Sequence, residues 1–88
     1  MRTHFTFLAD PGHGWLIVTL GELAAVGLSE ADITPSSYRN DDHLGLEEDM
    51  DAQTFLDAYK ARFGQEAEIV DDLGSCRSWA PFGHRRTH

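Results

Sequence analysis

"HLGLEEDMDAQTFLDAYKARFG", residues 43–64, decides the fold, because the spacing of its apolar residues changes halfway along. Leu44 and Leu46 lie two apart, so they share one face of a strand and leave His43, Gly45 and Glu47 on the other. From Ala52 onward, Phe55, Leu56, Tyr59 and Phe63 recur every three or four residues, which makes one apolar stripe on a helix. Asp51 is the expected N-cap, with Met50 before it and Phe55 after it placed as a hydrophobic staple. Lys60 and Arg62 fall in the last turn, where the helix dipole favours cations, and Gly64 supplies a left-handed cap.

Working outward, "SSYRNDD" (36–42) pairs back on this strand, with Tyr38 on the partner strand and Asn40, Asp41 and Asp42 as the turn. Farther upstream, "THFTFLAD" (3–10) and "WLIVTL" (15–20) flank "PGHG", two strands around a turn. "GELAAVGL" (21–28) suits a short helix with Leu23, Val26 or Gly27, and Leu28 inward. "SEADI" adds a turn whose Ser29 and Asp32 have capping spacing, before Pro35 ends the helical region. Downstream, "EAEIVDDL" (66–73) alternates, and Gly74-Ser75 is read as a turn that sends "CRSWAPF" (76–82) back as a last strand. The expectation is an α+β domain over residues 1–83, in the order β-β-α-β-β-α-β-β. Its antiparallel sheet carries two helices on one face, and residues 84–88 form a flexible basic tail.

At 88 residues the chain has room for one domain with a modest core. Hydrophobic residues are 41% and charged residues 25%, values of a chain that folds. The longest apolar run, Trp15 to Val18, is too short to span a bilayer, and "MRTHFTFLAD" lacks the pattern of a signal peptide. With one cysteine, Cys76, no internal disulfide is possible, which points to the cytoplasm.

Charge carries the strongest functional signal. The net charge is −8, yet residues 77–88 add Arg77, Arg85 and Arg86, so the body is more acidic still. Residues 41–72 hold eleven acids against Lys60 and Arg62. Asp49 and Asp51 serve a helix start, and Asp41 and Asp42 suit a turn, while Glu47, Glu48, Glu66, Glu68, Asp71 and Asp72 have no such local duty. A pair of catalytic carboxylates needs one member desolvated, and no apolar residues bracket this group. "DMDAQTFLDAYK" lacks the central glycine and closing glutamate of a calcium loop. The histidines at 4, 13, 43, 84 and 88 have no zinc-binding spacing. No metal and no cofactor are expected. If the last two strands lay beside the 36–49 hairpin, the acids would merge into one face resembling a row of nucleic-acid phosphates.

Three segments, "DPGHGWL" (10–16), "SYRNDD" (37–42) and "LEEDMDA" (46–52), resemble the D-P-G-H-G-W-L, S-Y-x-x-x-D and L-E-E-D-x-D-A pattern of a family of small proteins from bacteriophages, plasmids and other mobile elements. The resemblance covers about the first two-thirds of the chain. Met50 stands where the family pattern has a small, cysteine-like residue. Such a context implies host takeover or evasion of host defence, as by anti-CRISPR or anti-restriction inhibitors. The expected function is thus a non-enzymatic inhibitor docking on the basic nucleic-acid channel of a host defence complex through Asp41, Asp42, Glu47, Glu48, Asp49, Glu66, Glu68, Asp71 and Asp72. It would bind neither nucleic acid nor membrane directly. The alternative is a structural or adaptor protein that forms a homodimer through an apolar strand edge, and a third reading is a small metal-dependent or hydrolytic enzyme.

Overall fold

The computed structural model describes residues 2–82, so the expected tail at 84–88 lies outside them. In chain order the elements are β1 (His4–Ala9), β2 (Gly14–Thr19), α1 (Leu20–Ala25), a single 3-10 turn (Glu30–Asp32), β3 (Tyr38–Asn40), β4 (His43–Glu47), α2 (Asp51–Phe63), β5 (Glu68–Leu73) and β6 (Ala80–Pro81). The fold is α+β, and the order of strands and helices follows the sequence pattern. α1 starts on a capping box that the pattern did not single out: the Glu22 N–H donates to Thr19 Oγ1 and the Thr19 N–H to Glu22 Oε1, at 3.1 and 3.0 Å. Gly27, at φ +85°, ends that helical region, and Gly64, at φ +78°, ends α2.

Strand pairing corrects the expectation. The six strands form one mixed sheet in the order β5-β1-β2-β4-β3-β6. β5 does not turn back into β6; it lies parallel to β1, with Phe5 opposite Ile69 and Phe7 opposite Asp71. The reason lies in α2: β4 runs parallel to β1, and a helix between two strands carries the chain back across the sheet to start the next strand in the same direction. Residues 74–79 then cross the opposite face of the sheet, and β6 pairs with β3 at the far edge. Gly74-Ser75 therefore opens a strap rather than a hairpin turn.

Both helices cover one face. Phe5, Leu16, Val18, Leu44 and Leu46 meet Leu23 and Val26 near α1 and Phe55 and Tyr59 from α2 in a single buried cluster. The Phe5 ring meets the edges of Phe55 and Tyr59 at 5.2 and 5.7 Å, contacts worth about 0.5–1.5 kcal/mol each beyond the area they bury. The α2 stripe thus packs through Ala52, Phe55 and Tyr59 with Leu56 partly buried, while Phe63 in the last turn is exposed and rests on the Tyr59 ring.

The start of α2 differs from the staple. Met50 is the N-cap and is 52% exposed, while Asp51 is the first helical residue and is buried. The Asp51 carboxylate accepts from the Thr34 N–H, Thr34 Oγ1 and Ser37 Oγ, and Ser37 Oγ in turn accepts from the Glu47 N–H at 3.0 Å. A buried anion is stable only with such donors, and here they tie the 34–37 loop to the end of β4 and the start of α2.

Candidate functional site

From the three sequence segments, His13, Trp15, Tyr38, Glu47 and Asp49 come together at the face of the sheet opposite the helices. Trp15 on β2 is buried there, and its ring meets Tyr38 at 6.1 Å and His13 at 6.0 Å, the latter stacked. Gly45 sits beside it because the strap needs the space: a Cβ on Gly45 would stand 2.5 Å from Cys76 Sγ. The buried Cys76 is pushed up to about 11 by desolvation, so its thiol stays protonated at neutral pH and acts as packing. Gly14 has a similar reason, since a Cβ there would strike the Phe7 ring at 2.3 Å.

Arg77, from the strap, fastens the β1–β2 turn. Its Nε donates to Asp10 Oδ2 at 2.8 Å, a further nitrogen reaches His13 Nδ1 at 3.0 Å, and its guanidinium lies 5.6 Å from the Trp15 ring centre. Asp10 Oδ1 meanwhile accepts from the N–H groups of Gly12 and His13. The Arg77 hydrogen bond holds the Asp10 carboxyl far below the usual carboxylate range, and these two main-chain donors reinforce it. Since arginine carries donors only, His13 Nδ1 accepts, and the ring proton of the neutral form sits on Nε2.

Between this cluster and the end of β4 opens a cleft of about 370 Å³, walled by His13, Trp15 and Tyr38 and edged by Glu47, Asp49 and Arg77. Its two carboxylates and the partly exposed Tyr38 ring suit a cationic side chain, which gains from a π face and from an acceptor together, while the buried Trp15 ring is taken by Arg77. Arg77 and His13 were not sequence candidates for partner binding, and no local pattern announces a pairing between residues so far apart. Gly45 between two core leucines was the one available hint, because a glycine inside a strand often marks close approach by another part of the chain.

The sequence-derived acids divide into groups. Glu47 and Asp49 edge the cleft, and the Asp49 N–H donates to Glu47 Oε1 at 3.1 Å. Glu48 points to the helix side, where it and Asp71 edge a second cavity of about 340 Å³. Asp72 lies in the same cross-strand row as Leu8, Trp15 and Glu47, which places it roughly 14 Å from Glu47 at the usual strand spacing. Asp41 and Asp42 form the β3–β4 turn at the opposite end of β4, where Asp41 takes φ +56° and Asp42 contacts His43 at 3.1 Å. Glu66 pairs with Lys60 and Glu68 with His4. Of the last two strands, β6 pairs with β3 of the 36–49 hairpin but carries no acid, while β5, which carries the acids, is separated from β4 by β1 and β2. Glu48 and Asp71 instead edge one cavity with Phe7 in its wall, because the α2 crossover returns β5 to β1.

Among the described residues no three His, Cys, Asp or Glu side chains gather as a metal site, and no helix is long and apolar enough to cross a membrane. No protein-family model, no curated protein sequence and no solved structure matches the chain.

Proposed function

We propose that this chain is a non-enzymatic inhibitor of a host defence nucleoprotein complex, anti-CRISPR-like in mode, which sets carboxylates on a basic surface that otherwise takes nucleic acid. The observation that carries this reading is where the cations go. Every described Lys and Arg is engaged elsewhere: Arg2 with Glu22, Arg39 with Glu30, Lys60 with Glu66, Arg77 with Asp10, and Arg62 over the Phe63 ring. Glu47, Glu48, Asp49, Asp71 and Asp72 have no ion-pair partner among the described residues. Their potential adds up over one end of the sheet and steers a basic partner toward it.

The mechanism is occupation. Carboxylates take the place of phosphates, and the cleft beside Glu47 and Asp49 receives an arginine or lysine of the channel against Tyr38. Exposed charges act over about a Debye length, near 8 Å at physiological ionic strength, so association should slow as salt rises. The protein would act in the host cytoplasm, without a cofactor and without contacting nucleic acid itself.

The test is plating of a targeted phage on bacteria that carry an active CRISPR or restriction system and express this protein. Wild type should restore plating, and a variant with Glu47→Gln, Glu48→Gln, Asp49→Asn, Asp71→Asn and Asp72→Asn should not, while melting at the wild-type temperature. Protection retained by that variant rules out the acidic mechanism. No protection against several systems rules out the function.

A further inference from the structure

The strand β5 is exposed at all six positions and stands at the edge of the sheet. Ile69, Val70 and Leu73 are 41, 50 and 88% exposed, unusual for aliphatic residues inside a strand. Its main chain is half used. The Glu68 N–H donates to Thr3 O and the Gly74 N–H to Ala9 O, at 2.8 and 3.0 Å, so residues of that parity face β1. By alternation, Ile69, Asp71 and Leu73 turn their N–H and C=O outward, away from the sheet. The Leu73 N–H is covered by Asp72 Oδ1 at 2.8 Å, while those of Ile69 and Asp71 have no partner among the described residues.

A groove runs beside this edge. Two adjoining cavities, of about 340 and 280 Å³, lie between α2 and β5 and share Leu56 and Ile69. Phe7, Leu16 and Leu56 line the larger, which Glu48 and Asp71 edge, while Asp57 edges the smaller beside the Lys60–Glu66 pair. The site therefore combines free main-chain groups and an apolar floor, which strand addition uses for affinity and specificity, with the carboxylates of Glu48 and Asp71, which have no ion-pair partner among the described residues.

We infer that β5 docks an extended basic segment of a partner protein, which pairs with Ile69 and Asp71 as a seventh strand. Apolar residues of that segment lie opposite Ile69, Val70 and Leu73, and lysines or arginines opposite Glu68, Asp71 and Asp72. A second copy of this chain fits less well, because antiparallel pairing of two β5 strands brings their central acids face to face, and like charges at facing positions destabilise a pair. The basic nature of the partner rests on the functional reading above; the strand-addition mode does not.

The probe is a short capped lysine–valine peptide, made in both chain directions, whose order sets lysine opposite Glu68, Asp71 and Asp72 and valine opposite Ile69, Val70 and Leu73, added to the full-length, isotope-labelled protein. Controls are a glutamate–valine peptide and a lysine-rich helix-forming peptide. The expected result is slowed amide exchange at Ile69 and Asp71 with the lysine–valine peptide alone. Asp71→Pro removes an outward N–H that the sheet does not use, so it should keep the fold and weaken binding about tenfold, the effect of one lost main-chain hydrogen bond. A doubly charge-reversed variant, Asp71→Lys with Asp72→Lys, should exchange preference toward the acidic peptide. Equal binding by Asp71→Pro, shifts confined to Trp15 and Tyr38, or tighter binding of the helical peptide would overturn the inference. Protection of Ile69 and Asp71 that grows with protein concentration and needs no peptide overturns it in favour of a homodimer. A protein that fails to rescue phage yet captures the basic strand loses the inhibitor function and keeps this docking mode. Rescue undiminished by Asp71→Pro does the reverse.

Discussion

Around Trp15 the polar groups are matched: Asp10 takes three donors counting both oxygens, Asp51 takes three, and Cys76 fills the space that Gly45 leaves. At β5, a short distance across the same sheet, Ile69 and Asp71 keep free main-chain groups, and aliphatic side chains face water beside carboxylates without cations. The two regions carry the same sign of charge but use it differently. In the first, acids are consumed by the architecture, as anchors for a strap and a helix start. In the second they remain available. An acid-rich sequence therefore has to be sorted by hydrogen bonding before its charge is read as function.

The comparison can be broken most directly at Asp51. Asp51→Ala strands the Thr34 and Ser37 donors in the interior and should lower stability by about 3 kcal/mol, measured by urea denaturation. A loss below about 1 kcal/mol would mean that the anchored region is far less determined than its hydrogen bonds imply. Next is Gly45→Ala, whose added methyl meets Cys76 and should cost about 1–3 kcal/mol. Combining it with Cys76→Ala should recover much of that loss, and simple additivity of the two changes would remove the contact from the explanation.

A smaller effect tests the clamp through pH. The folded carboxyl of Asp10 titrates below its unfolded value, so its contribution is fully present above about pH 4 and fades as pH falls through the folded value. The stability difference between wild type and Asp10→Asn should accordingly be constant near neutrality and shrink in acid. A difference that grows in acid would reverse the sign of the argument. The smallest change belongs to β5: Leu73→Asn should move stability by no more than about 0.5 kcal/mol, because this side chain is 88% exposed. Should it destabilise by more than that, the edge is not idle in the isolated chain.

The α2 stripe, the leucine alternation of β4 and the first hairpin were legible because each is a short-range period, and the core uses those residues. The pairing of β5 was not. A run such as "EIVDDL" states that a strand exists, but its neighbour is chosen by the helix before it, and no residue within the run records that choice. The acids were legible as a cluster and illegible as a site for the same reason. Asp51 looks like its neighbours in sequence, and only the approach of Ser37 and Thr34 separates it from Asp49. The Arg77 clamp joins residues 64 and 67 positions apart, where local pattern carries no information.

The strap of residues 74–79 also orders events in time. Its contacts with Asp10, His13 and Gly45 have some of the longest sequence separations in the fold, and such contacts form late because the intervening chain must first be organised. The pairing of β1 with β5 waits as well, since β5 follows α2, whereas β1 pairs with β2 locally. Until the strap closes, Trp15 is wet on one side. In a protein carrying Trp79→Phe, the fluorescence of Trp15 should therefore follow closure of the strap, and comparing its rate with that of helix formation by circular dichroism tests whether the strap closes after the helical face collapses.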